Sequence, residues 1–220
     1  MRPERNVLEN ACKFIIVRHG ETEWNVKHLL QGHEDSPLTA NGISQAKAVA
    51  KELHNETFDL AFSSDLLRAK RTAEIIAMEH NLTVTATRAL RERHLGKLEG
   101  QPSELLRQFD VLLEKMDDQE RFSHAIDDDV ESDEELVFRL ITCIREIAIL
   151  NPGKCILIAT HGGAMTALLI HLGYFSYRTI PRNAVQNTAR FELFSDGTQF
   201  VIGARKGIAD PMPQSGTGPQ

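Results

Sequence analysis

Short apolar runs alternate along the chain with segments whose apolar residues recur at helical spacing. This alternation predicts an α/β fold, because strands joined by helices pair in parallel and are covered on both faces. We expect a three-layer α/β/α sandwich with a mostly parallel central sheet. The predicted strands cover residues 14–17, 60–62, 83–86, 155–159, 191–194 and 200–202, and the predicted helices cover residues 43–53, 66–80, 102–115, 132–150 and 164–172.

Turn and capping residues mark the ends of several elements. The cluster Ser63-Ser64-Asp65 predicts a cap for the helix after the second strand. Ser132 and Glu135 have the spacing of a capping box, which predicts the start of a helix there. Ser195-Asp196-Gly197-Thr198 lies between two predicted strands and indicates a hairpin.

The composition is typical of an ordinary globular protein. The 220 residues are 41% hydrophobic and 25% charged, which suits one domain of this length. We expect that domain at residues 12–208, after an N-terminal extension at 1–11. Residues 209–220 are rich in Pro, Gly and Ser, and we expect a disordered tail there.

Cysteine usage and hydropathy indicate the cellular setting. Cys12, Cys143 and Cys155 are odd in number and widely spaced, which argues against a disulfide framework and a zinc site. A reducing, cytoplasmic location fits this pattern. The longest apolar stretch, 156–175, contains histidines and glycines and is interpreted as strand, turn and helix. We therefore expect neither a secretory signal nor a membrane segment.

Negative charge is concentrated in one segment. The formal net charge is −6, but residues 117–135 hold ten acids against Arg121 alone, a local charge of −9 that leaves +3 elsewhere. Nucleic-acid binding needs a basic face, so nucleic acid is not an expected partner. The segment is expected to be a solvated helix end and loop. If it overhangs a cleft, it disfavours polyanionic macromolecules and leaves room for small phosphates.

Two predicted strands end in a histidine followed by a glycine. Arg18-His19-Gly20 follows the first strand, and Thr160-His161-Gly162 follows the fourth. Ligands of open α/β sheets bind beyond the carboxyl ends of the strands, so we expect both imidazoles in one crevice. A neutral imidazole is a nucleophile near neutral pH, and a neighbouring guanidinium binds phosphate oxygens. The two motifs therefore predict a phosphohistidine site.

An arginine and a carboxylate are expected near the same crevice. Arg68 lies one turn into the helix after the second strand, and Glu92 lies just after the third strand. Phosphoryl transfer requires positive charge around the equatorial oxygens and a proton for the leaving oxygen. Arg18, Arg68 and His161 are suited to the first task and Glu92 to the second. Because the sequence has no Asp-rich metal cage or Walker loop, cationic side chains are expected to replace magnesium.

Five motifs occur in a fixed order along the chain. They are R-H-G-E-T-E-W-N, Q-G-H-E-D-S-P-L-T-A-N-G, S-S-D-L-L-R-A-K-R-T-A, L-R-E-R-H-L-G-K-L-E-G and T-H-G-G. This set resembles the histidine phosphatase superfamily, in the branch of cofactor-dependent phosphoglycerate mutases and related small-molecule phosphatases. The resemblance implies a phosphoglycerate mutase-like fold, phosphorylation of His19 and proton donation and acceptance by Glu92. The phosphate-binding residues it implies are Arg18, Arg68 and His161, with Asn25, Gln31, Gly32 and the backbone at Gly162 completing the pocket.

The residues that follow Glu92 bear on the choice between a mutase and a phosphatase. Mutases of this family carry a Tyr two residues beyond the acid and a paired-Arg segment before a proline run. Here His94 stands at the Tyr position, and Arg107 and Arg121 occur singly. Glu131-Ser132 before a helix instead resembles the phosphatase branch, although Asp128-Asp129-Val130 replaces its usual Pro-Gly-Gly.

We therefore expect a metal-independent phosphatase of small phosphorylated metabolites that acts through phosphohistidine, with no cofactor. Sugar phosphates such as fructose bisphosphates are candidate substrates. Two alternatives stay open: a 2,3-bisphosphoglycerate-dependent phosphoglycerate mutase, and a catalytically inactive domain that binds a phosphorylated ligand. The intact set of histidines, arginines and glutamate argues against the inactive domain. The sequence leaves the oligomeric state and the physiological substrate open.

Overall fold

A computed structural model describes residues 10–213, and these contain one six-stranded sheet. The strand order is β3-β2-β4-β1-β5-β6. The first four strands in chain order pair in parallel, whereas β5 pairs antiparallel with both β1 and β6. The predicted α/β sandwich with a mostly parallel sheet is confirmed. The strands are β1 (Cys12–Arg18), β2 (Leu60–Ser64), β3 (Val84–Thr87), β4 (Cys155–Thr160), β5 (Val185–Ser195) and β6 (Phe200–Ile208).

Helices connect these strands and lie against the sheet. Three short 3₁₀ helices follow β3 within the described residues. They cover Arg88–Leu90, Gly96–Leu98 and Ser103–Phe109. The α helices of the described residues are α1 (Glu23–Val26), α2 (Ala40–Glu52), α3 (Leu67–Met78), α4 (Asp110–Leu113), α5 (Asp118–Ser123), α6 (Asp133–Leu150) and α7 (Gly162–His171).

The sheet is buried on both faces. Along β1, Phe14 and Ile16 belong to the core that includes α6 and α7, whereas Ile15 and Val17 belong to the core that includes α2 and α3. Successive side chains of a strand point to opposite faces, so a continuous apolar run is what a doubly covered strand requires. This explains why the predicted strands were runs of apolar residues.

The register of the sheet brings the two histidine motifs together. β1 and β4 are parallel neighbours in which Arg18 pairs with Thr160. The residues that follow, His19 and His161, therefore leave the sheet side by side at its carboxyl edge. The backbone N–H of His19 also donates to the carbonyl oxygen of Thr160 at 3.0 Å.

The prediction of one helix at 102–115 was wrong. Ser103–Phe109 is a 3₁₀ helix, and only Asp110–Leu113 is α-helical. A 3₁₀ helix places residues i and i+3 on one side. Leu106 and Phe109 have this spacing, and both pack on a small cluster of buried side chains. Tertiary packing therefore favours the tighter helix in this segment.

The predicted cap of α3 was also wrong. The residue at the N-cap is Leu66, which makes no side-chain cap bond. The carboxylate of Asp35, from a distant loop, accepts the N–H groups of Leu67 and Arg68 instead. Asp65 is occupied elsewhere, because both of its oxygens accept hydrogen bonds from Arg91 at 2.7 Å.

The acidic segment 117–135 is more ordered than a solvated loop. Asp117 and Glu120 form the capping box of α5, and Ser132 forms the predicted capping box of α6 with Glu135. Several of its acids are paired with basic side chains outside the segment. These ion pairs are Asp127 with Lys97, Glu131 with Arg139, and Asp133 with Arg93.

The ends of the chain are described only in part. Residues 1–9 of the predicted extension and 214–220 of the predicted tail lie outside the described residues. Within the described part of the tail, Ala209 donates to Ala184 at 2.8 Å and Met212 donates to Thr179 at 2.7 Å. Within residues 10–213, no helix combines the length and apolar character needed to cross a membrane.

Candidate active site

The ring of His19 is held in one orientation at the end of β1. Only 2% of the residue is exposed, and Nδ1 lies 2.8 Å from the carbonyl oxygen of Gly20. A carbonyl accepts hydrogen bonds only, so Nδ1 carries the proton and donates to it. The lone pair of a neutral ring then resides on Nε2, which is the nitrogen available for nucleophilic attack.

His161 lies beside His19, with 5.3 Å between the two ring centroids. Burial lowers the pKa of both imidazoles well below the ordinary value, and the positive charge of Arg68 adds to this effect. Both rings are therefore neutral near pH 7. The lowered pKa disfavours the positive charge that the sequence suggested for His161, and its role in binding phosphate stays a prediction.

The guanidinium of Arg18, at the end of β1, lies near His19 and His161. Its Nη1 donates to the carbonyl oxygen of Val185 at 2.6 Å, which fixes the guanidinium. The plane of the group passes close to Gly162, where an added Cβ atom would lie 3.0 Å from Arg18 Nε. A side chain at this position would press on the guanidinium, so the first glycine after His161 suits this close approach, while its place in a substrate pocket stays a prediction.

Arg68 is a buried residue of α3, only 1% exposed. Its Nη2 donates to the carbonyl oxygen of Gly32 at 2.7 Å, and its Nη1 donates to the carbonyl oxygen of Glu34 at 2.7 Å and to Asp35 Oδ1 at 3.1 Å. These contacts bind α3 to the loop after α1. Gly32 therefore contributes to the site through a carbonyl oxygen that orients Arg68.

Several buried nitrogens of this cluster have no protein partner among residues 10–213. They are Nε of Arg18, Nε of Arg68, and both ring nitrogens of His161. Buried polar groups in folded proteins are nearly always hydrogen-bonded, so donors left over in one cluster point to a polar ligand. Guanidinium N–H groups form strong, charge-assisted hydrogen bonds with phosphate oxygens. The arrangement suits a phosphate group.

Glu92 follows β3 and is held through its carboxylate. Oε2 accepts the N–H of Gly163 at 2.9 Å, and Oε1 accepts the N–H groups of Ala164 and Arg93 at 2.8 Å each. Two of these donors lie in the first turn of α7, where free N–H groups and the helix dipole favour an anion. Burial lowers the pKa of Arg18 from its ordinary value, and the negative charge of Glu92 offsets part of this effect.

Asn25 and Gln31 support the loop that carries His19. Oδ1 of Asn25 accepts hydrogen bonds from Thr22 N at 3.1 Å and from Asn187 Nδ2 at 3.2 Å. Oε1 of Gln31 accepts from the hydroxyl of Thr22 at 3.1 Å. The structure thus places these amides next to the loop that carries His19, while their contact with substrate stays a prediction.

Sequence reasoning missed three side chains that link the parts of the site. Thr72 accepts from Gly20 N at 3.1 Å and donates to Arg68 O at 2.8 Å, so it joins the turn after His19 to α3. Asn187 donates to His19 O at 3.2 Å. Thr188 adopts φ +58°, a strained value for a β-branched residue, next to the same carbonyl. Motif spacing carries no signal for any of them.

Two cavities are lined by residues that adjoin or contact Glu92, although Glu92 itself lines neither. One, of about 330 Å³, is lined by Gly163 of α7 and by side chains from the segment that follows Glu92. The other is an open cleft of about 440 Å³. The first has mainly apolar walls, including Leu95, Leu106, Phe109, Val130 and Ile170. Its polar lining includes Arg93, Arg121 and Tyr177 together with the acids Asp110, Glu131 and Asp133. The second is lined by His33, His94 and the acids Asp128, Asp129, Glu131 and Glu135, together with Val130.

Comparison with known proteins agrees with this geometry. The sequence model of the histidine phosphatase superfamily (branch 1) matches residues 14–205. The chain belongs to this superfamily. The match covers all five motifs, so the resemblance that the motifs indicated is confirmed.

Individual members of the superfamily that resemble this chain carry different activities in their names. The uncharacterized phosphatase PhoE of Bacillus subtilis is 35% identical over 71% of this chain and 75% of its own length. A 2,3-bisphosphoglycerate-dependent phosphoglycerate mutase of Methylocella silvestris is 36% identical over 76% and 84%. The solved structure of a phosphoserine phosphatase from Entamoeba histolytica, in complex with 3-phosphoglyceric acid, is 27% identical, with a TM-score of 0.74 and coverage of 88% and 96%.

Proposed function

We propose that the protein is a metal-independent phosphatase that hydrolyses small phosphorylated metabolites through a phosphohistidine on His19. The observation that carries this proposal is the fixed ring of His19, whose Nδ1 is engaged by Gly20 O at 2.8 Å. The free Nε2 lies in a buried cluster with Arg18 and Arg68, as in-line attack on a phosphate held by guanidinium groups requires.

In the first half-reaction, Nε2 of His19 attacks phosphorus while the bond from phosphorus to the substrate's alcohol oxygen breaks. The proton on the carboxyl group of Glu92 passes to that oxygen, and the alcohol leaves. Arg18, Arg68 and His161 donate hydrogen bonds to the phosphoryl oxygens, where charge accumulates in the transition state. The products of this step are the alcohol and phosphohistidine.

In the second half-reaction, water attacks phosphorus on the opposite side from Nε2. The carboxylate of Glu92 accepts a proton from the water, and the bond from phosphorus to nitrogen breaks. Inorganic phosphate is released, and His19 returns to the neutral form. Glu92 thus serves as the acid in the first step and as the base in the second, held in place by the backbone N–H groups of α7.

The second, acidic cleft supports hydrolysis rather than the mutase reaction, which moves phosphate between two positions of phosphoglycerate. A mutase must retain a bisphosphorylated intermediate, which needs several cationic contacts. Here the cleft is lined by Asp128, Asp129, Glu131 and Glu135. His94, at the position where mutases have Tyr, is engaged by Glu99 at 3.1 Å. A second phosphate that entered this cleft would be repelled by Asp128, Asp129 and Glu135, whereas the charge of Glu131 is neutralised by Arg139.

The cavity at Gly163 is the place we propose for the leaving alcohol, because it opens next to the carboxylate that protonates that alcohol. Its volume of about 330 Å³ admits small metabolites and not macromolecules. Sugar phosphates stay candidate substrates, with Arg93, Arg121 and Tyr177 as polar partners for hydroxyl groups. A reducing, cytoplasmic setting is part of the proposal, supported by three unpaired cysteines.

The proposal is tested by measuring two products in parallel: inorganic phosphate from a panel of phosphorylated metabolites, and interconversion of 2- and 3-phosphoglycerate with and without 2,3-bisphosphoglycerate. Phosphate release should exceed interconversion. Glu92→Gln should lower release by about 10²-fold or more, as for loss of a general acid. Glu134→Gln, an exposed acid of α6, is the matched control and should change little.

Efficient interconversion with negligible phosphate release would instead establish the mutase. Phosphate-ligand binding without turnover of any substrate would favour the inactive binding domain.

A further inference from the structure

Arg139, in the first half of α6, holds the backbone that carries Glu92. Its Nη1 donates to the carbonyl oxygens of Ala89 at 3.0 Å and Arg91 at 2.8 Å, and its Nη2 donates to Glu92 O at 2.7 Å. Three carbonyls of one short segment thus converge on one guanidinium. This pattern matches the planar fork of arginine, which presents several donors in fixed directions.

Glu131 holds Arg139 in turn. The guanidinium binds its carboxylate through two parallel bonds, Nε to Oε1 at 2.6 Å and Nη2 to Oε2 at 2.8 Å. The side chains of Arg139 and Glu131 are only 22% and 14% exposed, so water screens this pair weakly. Glu131 is also the residue that precedes the capping box of α6, which connects the start of that helix to the Glu92 segment.

The hydrogen bonds of Arg139 exclude a direct role in phosphate binding. Nε, Nη1 and Nη2 all donate to protein oxygens of residues 89–92 and 131. A surface ion pair would explain the contact with Glu131 but not the three carbonyl contacts. The backbone of Glu92 receives one further restraint, because Nε2 of His33 lies 2.9 Å from the same carbonyl oxygen.

We propose that Arg139, oriented by Glu131, is a positioning residue that sets the location of the Glu92 carboxyl group relative to the leaving oxygen. This inference rests on the phosphatase function proposed above. Proton transfer needs heavy atoms within hydrogen-bond reach, and a shift of about 1 Å can reduce a rate by about 10²-fold. The phosphate-binding residues Arg18 and Arg68 are not held by Arg139.

A defect confined to the proton donor has a signature that general loss of structure lacks. Substrates whose alcohol is a poor leaving group depend on protonation, whereas p-nitrophenol leaves without it. Comparing kcat/KM for benzyl phosphate and p-nitrophenyl phosphate therefore isolates the first half-reaction and the contribution of Glu92. Inhibition by vanadate reports separately on the phosphate site.

The experiment compares Arg139→Lys and Arg139→Gln with wild-type enzyme. A lysine is a point charge that cannot bind three carbonyls and a carboxylate together. We expect kcat/KM for benzyl phosphate to fall about 30- to 100-fold, and that for p-nitrophenyl phosphate less than about threefold, with vanadate inhibition unchanged. Arg145→Gln is the matched control in α6, because Arg145 is exposed and packs over the ring of Phe200.

Equal losses on both substrates, or a matching loss of vanadate affinity, would overturn the positioning role. Glu131→Gln, which keeps its size and loses its charge, is the second variant in case Arg139 variants fail to fold, and it should show a smaller loss with the same substrate dependence. Absence of phosphatase activity in the wild-type protein would instead refute the proposed function.

Discussion

A Cβ atom built on Gly163 would lie 2.6 Å from Oε1 of Glu92. The second glycine after His161 therefore leaves the space that the carboxylate occupies while it accepts the N–H of the same residue. Sequence reasoning had assigned a role to Gly162 alone. The two glycines serve different groups, since Gly162 makes room for Arg18 and Gly163 makes room for Glu92.

Gly163→Ala should therefore displace Glu92 and lower kcat on alkyl phosphates by about tenfold or more, because proton transfer depends on heavy-atom distance. The fold should persist, as alanine is a better helix former than glycine. Steady-state kinetics with a thermal melt checks both points. Ala164→Gly is the control, since it removes a methyl group from the same turn, retains the N–H donor, and should alter kcat by less than about twofold. Unchanged kcat in Gly163→Ala would contradict this role.

Substitution of Asp35 should affect stability and phosphate binding together. Its carboxylate caps α3 and pairs with the buried guanidinium of Arg68. We expect Asp35→Ala to reduce the free energy of unfolding by about 1–3 kcal/mol and to weaken vanadate inhibition. Urea unfolding and inhibition assays measure the two effects.

The matched control is Asp65→Ala, because Asp65 is equally exposed, at 27%, and is paired with Arg91 instead. It should reduce stability and leave vanadate inhibition in place. Equal inhibition of wild-type and Asp35→Ala protein would exclude Asp35 from organising Arg68.

Stability should depend on pH through the two buried histidines. Burial, with the nearby arginines, holds the pKa of His19 and His161 well below 6.5 in the folded state, so the unfolded chain binds more protons in this range. The free energy of unfolding should therefore fall as pH decreases below about 6.5, by at most about 1.4 kcal/mol per pH unit for each histidine.

Urea unfolding at several pH values between 5 and 8 measures this slope. His161→Asn should flatten it, whereas His54→Asn should not, because His54 is exposed in the folded protein. A slope that is equal in the wild-type protein and His161→Asn would show that His161 is not buried in its neutral form.

Activity should survive chelating agents, because Arg18, Arg68 and the ring of His161 provide the donors that a metal provides in other phosphatases. Vanadate should inhibit as a mimic of the pentacoordinate transition state. Phosphate release measured with and without EDTA tests this directly. Loss of activity in EDTA that magnesium restores would contradict the assignment.

The residues at strand ends were predictable from sequence, whereas their supports were not. The register of two parallel strands places Arg18 beside Thr160, so two strand-end histidines had to meet. Asp35 caps a helix 32 residues further along the chain, and no local pattern indicates such a contact. The sequence therefore favoured Ser63-Ser64-Asp65, which was wrong.

Arg139 is a second case in which the sequence pattern did not predict a contact. A single arginine within an amphipathic helix is normally a solvated charge, and only the tertiary structure shows three carbonyls around it. The segment at 103–109 is a third such case, because packing of Leu106 and Phe109 selects a 3₁₀ helix over the α helix that its composition suggests. Local patterns thus indicated which strand-end groups lie together better than they indicated the side chains that hold them.

The central claim is that phosphate passes through His19. Wild-type protein mixed with a radiolabelled phosphomonoester and quenched within milliseconds to seconds should carry label that is stable in base and labile in acid, on the peptide containing His19. The label should appear and decay at rates that account for phosphate release, and it should be absent from His19→Asn but present in His54→Asn. Continued turnover by His19→Asn at near the wild-type rate, or label on another residue, would contradict the account.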